Sequence, residues 1–310
     1  MAWLPFARLM RIPNVWTAFA DIALGAAMIA ALVPTSGIDH FPWRMLGLMF
    51  ASGLLYCSGM VWNDIFDLAE DRRDRPFRPL PSGQVRKAVA VRLAMTLMLA
   101  GVGLAAIVGI GAIPETGGFQ PMPLMLAGAL VVAILLYDRW MKHTPIGPIS
   151  MGSCRFLNVL FGLSLVLPEQ IPWSVRLHVA SVIGVYIVGV TWFARTEATQ
   201  SNRMELLGAV GVMVAAMVLA LTIPLQLGPG QSSRWFPYFL ATFIILIGGP
   251  IRTALQTLQP KPVQQAVKRC ILGLVMLDAV LAGLFIGVPG LLILFLLPPA
   301  LVMGKWVYST

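Results

Sequence analysis

Residues 44–83 read RMLGLMFASGLLYCSGMVWNDIFDLAEDRRDRPFRPLPSG. As far as Trp62 the stretch is apolar, and its length suits a bilayer crossing, which takes about 20 helical residues. It then turns abruptly to charge: five of the chain's 13 carboxylates lie between Asp64 and Asp74. Asp64, Asp67 and Asp71 are spaced i, i+3, i+7, which predicts one shared face on a continuing helix. Carboxylates crowded in this way repel one another unless a cation sits among them. Hard oxygen donors of this kind suit Mg²⁺, which commonly takes a few carboxylates together with substrate phosphates. The neighbouring arginines are shaped to hold the same phosphate oxygens. The expectation is a diphosphate held through Mg²⁺ at a membrane surface.

Outward from this stretch, the composition is that of a membrane protein. The 310 residues are 58% hydrophobic and 11% charged, against roughly 25% charged in soluble proteins, and the mean hydropathy is +0.83. No cleavable signal peptide is expected, because the first apolar stretch runs past Ala31 without a small-residue cleavage site. Cys57, Cys154 and Cys270 lie far apart and show neither metal spacing nor a disulfide framework. A net charge of +9 would suggest nucleic acid in a soluble chain. Here it is read as retention of Lys and Arg in cytoplasmic loops, and no nucleic-acid partner is expected.

Candidate spans fall at 14–33, 44–62, 87–112, 121–137, 149–167, 175–193, 204–225, 235–257, 268–287 and 290–307. The last contains Pro298-Pro299 and reads as kinked or half-inserted, so the prediction is an all-α, polytopic chain of about nine spans with a tenth in question. With the N-terminus inside, 17 of the 22 Lys and Arg residues fall in inner loops, and only Arg44, Arg176 and Arg234 fall outside. That bias predicts an integral membrane protein (of the inner membrane if bacterial) with its N-terminus and the acidic cluster on the cytoplasmic side. No soluble domain boundary is visible, so residues 1–310 are read as one membrane domain.

The segment from Asn63 to Gly83 resembles the first signature of the UbiA superfamily of intramembrane prenyltransferases, N-D-x-x-D-x-x-x-D followed by R-P-x-R-P and S-G. Asn63, Asp64, Asp67, Asp71, Arg75, Pro76, Arg78, Pro79, Ser82 and Gly83 match it. The opening Arg11-Ile12-Pro13-Asn14, with Thr17, Asp21 and Gly25, is similar to the family's first segment. The resemblance implies a ring-like helical bundle around a central cavity. It also implies Asp64, Asp67 and Asp71 as Mg²⁺ ligands facing the diphosphate of a prenyl donor, with Asn63, Arg75 and Arg78 binding substrate. Tyr137 and Lys142, in YDRWMKHTP after the fourth span, resemble the family's Tyr-then-Lys segment, which implies a diphosphate-binding role for Lys142. His143 reads as interfacial.

Arg155 and Asn158, at i and i+3, put polar groups inside an apolar span, where charge is costly unless it faces a cavity or a partner. Both are therefore expected to line the pocket. The resemblance departs at the family's second acidic motif. Residues 191–203 read TWFARTEATQSNR, in which Glu197 alone is acidic and Ser201 and Asn202 stand where a second carboxylate is expected. Glu197 is assigned as a further catalytic and metal ligand, and Arg195 as a partner in neutralising the diphosphate. The implied reaction is transfer of a polyprenyl group from an allylic diphosphate to an aromatic or other lipophilic acceptor, with Trp62, Phe66, Tyr137 and Trp192 at the right depth to face an allylic cation. Two other classes compete. A transporter would use the intramembrane Asp21 and Asp278 but would show inverted repeats with broken helices, and no convincing pair is found. A prenyl-lipid-binding accessory protein of weakened activity is the other.

Overall fold

The computed structural model describes residues 3–33, 41–113, 117–196 and 201–307. Among them the chain is all-helical, with no strand. A short α1 (Leu4–Leu9) leads into α2 (Val15–Leu32), α3 (Phe41–Phe66) and a surface helix α4 (Leu68–Asp74). There follow α5 (Lys87–Gly109), α6 (Met122–Arg139), α7 (Gly147–Gly162), α8 (Trp173–Ala194) and α9 (Arg203–Thr222). The chain then forms α10 (Phe236–Thr257), α11 (Pro260–Ile286) and, after a 3₁₀ stretch at Val288–Leu296, α12 (Leu297–Val307).

Nine helical stretches among the described residues are long and apolar enough to cross a membrane. The stretch Val288–Lys305 is one of them, split where Pro298 and Pro299 occupy the first turn of α12, the part of a helix that tolerates a missing N–H. The fifth expected span, α7, is only 16 residues long. Its apolar run continues past Gly162 as turns, because the guanidinium of Arg176 binds the backbone there. That side chain is 1% exposed and donates to the carbonyls of Leu163 at 3.4 Å, Ile171 at 2.7 Å and Leu167. A residue expected in an outer loop is thus a buried clamp. Arg44 does similar work, donating to the carbonyls of Val108, Ile110 and Gly111 at the end of α5 at 2.5, 2.8 and 2.7 Å. Charged side chains commonly close the last carbonyls of a helix in this way.

Two glycine contacts bring α7 against its neighbours. A Cβ on Gly25 of α2 would lie 2.6 Å from the backbone of Gly162, and one on Gly152 would lie 2.6 Å from the carbonyl of Gly184 in α8. Small residues that let backbones approach are a main means of packing helices in lipid. This approach carries Arg155 and Asn158 of α7 to Asp21 of α2, which is fully buried. Arg155 donates to Asp21 at 3.1 Å and to Thr17 at 2.7 Å. Asn158 donates to Asp21 at 2.7 Å and accepts from Ser52 at 2.6 Å. Asp278 of α11, also fully buried, is next to Asp21. Arg155 is the cation paired with Asp21, which is how a buried charge is tolerated; Asp278 adds a second acid and not a counter-ion. Residues of α2, α3, α6, α7, α8 and α11 together surround a cavity of about 400 Å³.

Candidate active site

The acidic cluster forms where α3 ends. α3 continues four residues past the expected boundary, to Phe66, and so carries Asn63 and Asp64 inside the bundle. The expected single face then breaks at Asp67, which sits between α3 and α4 with φ −84° and ψ 2°. As a result the three aspartates divide. Asp64 and Asp71, 4% and 3% exposed, share Arg78, which lies 3.6 Å from Asp64 and 2.8 Å from Asp71. Asp64 also pairs with Arg11 at 3.1 Å. Asp67 turns instead to Lys142, at 2.5 Å, with His143 at 3.8 Å.

Arg11 is held in the left-handed backbone region, with φ 48° and ψ 47°. For a non-glycine residue this costs of the order of 1–3 kcal/mol, and such strain gathers at functional sites. His143, expected at the interface, is exposed, and ligand atoms of Asp67, Glu70 and His143 lie within 4.8 Å of one another. Glu70, off the expected Asp64–Asp67–Asp71 face, therefore belongs to the Asp67 side of the cluster. The carboxylates at this helix end are hard oxygen donors of the kind Mg²⁺ takes, and among the described residues the set whose ligand atoms already lie together is Asp67, Glu70 and His143. The bases now paired with those acids are groups able to take phosphate oxygens instead.

The other expected residues are placed as follows. Asn63 donates to Asp138 at 3.0 Å. Tyr137, Arg155 and Asn158 line the central cavity, together with Arg11, Asn14 and Tyr56. Arg155 lies over the Tyr56 ring at 5.6 Å. Arg75 is exposed and lines a smaller cavity with Arg8, Arg11, Arg78 and Asp64. Arg195, at the end of α8, donates to the carbonyl of Thr144 beside Lys142. Glu197 lies outside the described residues. Ser201 and Asn202 are engaged locally: Ser201 exchanges hydrogen bonds with Thr196 at 2.8 and 3.2 Å, and Asn202 caps α9 by accepting from the Met204 N–H at 2.9 Å. Both side chains are thus already engaged, Ser201 by Thr196 and Asn202 by the start of α9.

The aromatic set is corrected as well. Trp62 and Phe66 stack on each other at 5.5 Å, Arg139 covers Phe66 at 5.6 Å, and Trp192 rests on Gly208. The rings that line the cavity are Tyr56 and Tyr137. Sequence reasoning passed over Asp138, which is 2% exposed and lines the same cavity. Its signal was weak, a lone acid in the last turn of an apolar helix. The opposite wall is apolar, with Ile187, Val190, Ile271 and Leu274.

Comparison with known proteins agrees with the helical fold. The sequence profile of the UbiA prenyltransferase family matches residues 22–270. A digeranylgeranylglyceryl phosphate synthase of Metallosphaera sedula is 29% identical over 51% of this chain and 50% of its own length, so the match spans about half of that relative. The enzyme of the same name from Methanospirillum hungatei is 27% identical over 75% of this chain and 82% of its own. Among solved structures, a UbiA homolog from Archaeoglobus fulgidus bound to GPP and Mg²⁺ superimposes with a TM-score of 0.57, at 12% identity, over 86% of this chain and 99% of that one. With spans of membrane length, a shared fold and a matching profile over most of its residues, the chain belongs to the UbiA prenyltransferase family.

Proposed function

We propose that this chain transfers a prenyl group from an allylic prenyl diphosphate to a lipophilic acceptor, with the charged end of the bundle facing the cytoplasm. The observation that carries the reading is the cavity of about 400 Å³ that runs from Arg11 and Asp138, beside the acid–base cluster, inward to Leu130 and Leu274. A charged head and an apolar tail both find a place in it. Asp64, Asp67 and Asp71 would hold Mg²⁺, which when bound stabilises the negative charge of a departing diphosphate. Arg11, Arg78 and Lys142, paired with those acids, exchange them for diphosphate oxygens. Arg195, at the end of α8, and Glu197, close to it in sequence, are assigned to the same head-group. The tail lies along Ile187, Val190, Ile271 and Leu274, away from water. Tyr56 and Tyr137 offer π faces to positive charge developing at the allylic carbon. The GPP and Mg²⁺ held by the Archaeoglobus homolog support this reading, and the inner-loop excess of Lys and Arg supports the orientation.

A second reading concerns the acceptor and is favoured by one observation. Four arginines, Arg8, Arg11, Arg75 and Arg78, line the smaller cavity of about 260 Å³, which suits an acceptor bearing a phosphate. The curated relatives' product, a prenylated glyceryl phosphate, is of that class. Incubating membranes that contain the chain with labelled geranylgeranyl diphosphate, Mg²⁺ and two acceptors, a glyceryl phosphate ether lipid and a hydroquinone, tests both readings by mass spectrometry of the products. Transfer to the ether lipid, with a raised KM in Arg75→Ala, is expected. Binding of the diphosphate without any transfer would instead favour the accessory, lipid-binding role, and absence of Mg²⁺-dependent binding would overturn the proposal.

A further inference from the structure

We infer that Asp138 is the general base that takes the proton from the acceptor's hydroxyl as the prenyl group arrives; this rests on the transfer reaction proposed above. Asp138 is the penultimate residue of α6 and is 2% exposed. Its two oxygens are in different situations. Oδ1 accepts from the Asn63 amide at 3.0 Å, which fixes the carboxylate plane. Oδ2 is buried and has no hydrogen-bond partner. A buried polar oxygen left unsatisfied is costly, more so when charged, and such atoms are rare unless something else completes them. Asp138 lines the central cavity beside Tyr137, Arg11 and Asn14, so a ligand there is in a position to do so. Lys142, Arg11 and Asp67 are its charged neighbours, which sets it next to the place where the diphosphate leaves.

Prenyl transfer to a hydroxyl releases one proton. The acceptor oxygen forms a bond to C1 of the prenyl group, and the C1–O bond to the diphosphate breaks, the diphosphate keeping the electron pair. The acceptor's O–H proton moves to Oδ2 of Asp138 and from there to water after product leaves. No oxidant or reductant is required. Asn63, the first residue of the acidic signature, thereby acts as a positioning residue that holds the base one hydrogen bond away from the metal-binding aspartates.

The test is Asp138→Asn in the full chain, reconstituted in vesicles. The substitution keeps the shape and an acceptor for Asn63 but removes the ability to take a proton. Mg²⁺-dependent binding of GPP should stay within about two-fold of wild type, while transfer to the ether lipid or hydroquinone falls by about 10²–10⁴-fold, the usual scale of a lost general base. In Asp138→Ala, added formate should restore part of the transfer. A parallel loss of GPP binding would overturn the assignment by making Asp138 a metal or diphosphate ligand. Unchanged turnover, or no formate rescue, would overturn it as well. If the wild-type chain itself neither binds GPP nor transfers to either acceptor, the underlying reaction fails, an outcome distinct from a variant that binds and still turns over.

Discussion

The two ends of α3 use arginine in opposite ways. Near Phe41 the guanidinium of Arg44 is occupied by three backbone carbonyls, and Arg176, at the matching end of α8, is held by three more. Near Phe66 the guanidiniums of Arg11 and Arg78 face carboxylates. A carbonyl is fixed in the backbone and offers no alternative, so the first kind of contact is permanent architecture. A carboxylate–guanidinium pair can be exchanged for metal on one side and phosphate on the other. One end of the bundle is therefore closed on its own backbone, and the other holds pairs that the proposed ligand can exchange.

The comparison breaks most sharply at Asp67. Asp67→Asn should lower turnover by about 10³-fold, in the range found when an electrostatic catalytic group is removed, while the melting temperature in detergent stays close to wild type. A large fall in melting temperature would mean that this end is architectural too. Next in size, Arg176→Met should destabilise the fold by about 3 kcal/mol, since it strands buried carbonyls. Denaturant titration measures the loss, and the remaining folded protein should bind GPP normally. Arg44→Met should act in the same direction by about 1–2 kcal/mol, because its site is half-exposed and water can reach the freed carbonyls. If it weakened GPP binding instead, the division between the ends would fail. Smallest of all, Arg73→Ala should leave both melting and binding unchanged, since its pair with Asp74 at 2.9 Å is on the surface and surface pairs contribute little.

Much of this division could be read before any coordinates. Apolar runs located the spans because each must satisfy its own backbone in lipid, and Asn63–Gly83 located the end where acids and bases gather. What could not be read depends on contacts distant in sequence. The break at Asp67 sends one aspartate to Lys142 and leaves two with Arg78, and a helical wheel drawn through Asp64 and Asp71 has no way to show it. Asp138 acquires meaning only through Asn63, 75 positions earlier. Arg176 looks like a loop charge until α7 stops early and exposes carbonyls for it to hold. Ser201 and Asn202 sat at a suggestive place in the pattern, yet their oxygens go to Thr196 and Met204.

The brevity of α7 has a consequence for the membrane itself. Sixteen residues rise only about 24 Å, whereas the hydrocarbon layer is about 30 Å thick. Lipids beside Ile149 and Ser153, both on the exposed side of this helix, must shorten, tilt or let headgroups sink to match it. Arg155 and Asn158 lie on this short helix, so a bilayer that thinned beside it would bring the aqueous surface nearer to the polar wall of the cavity. Acyl-chain length is then a variable to set in the transfer assay: if the short helix governs access to the cavity, product formation should differ between thick and thin bilayers.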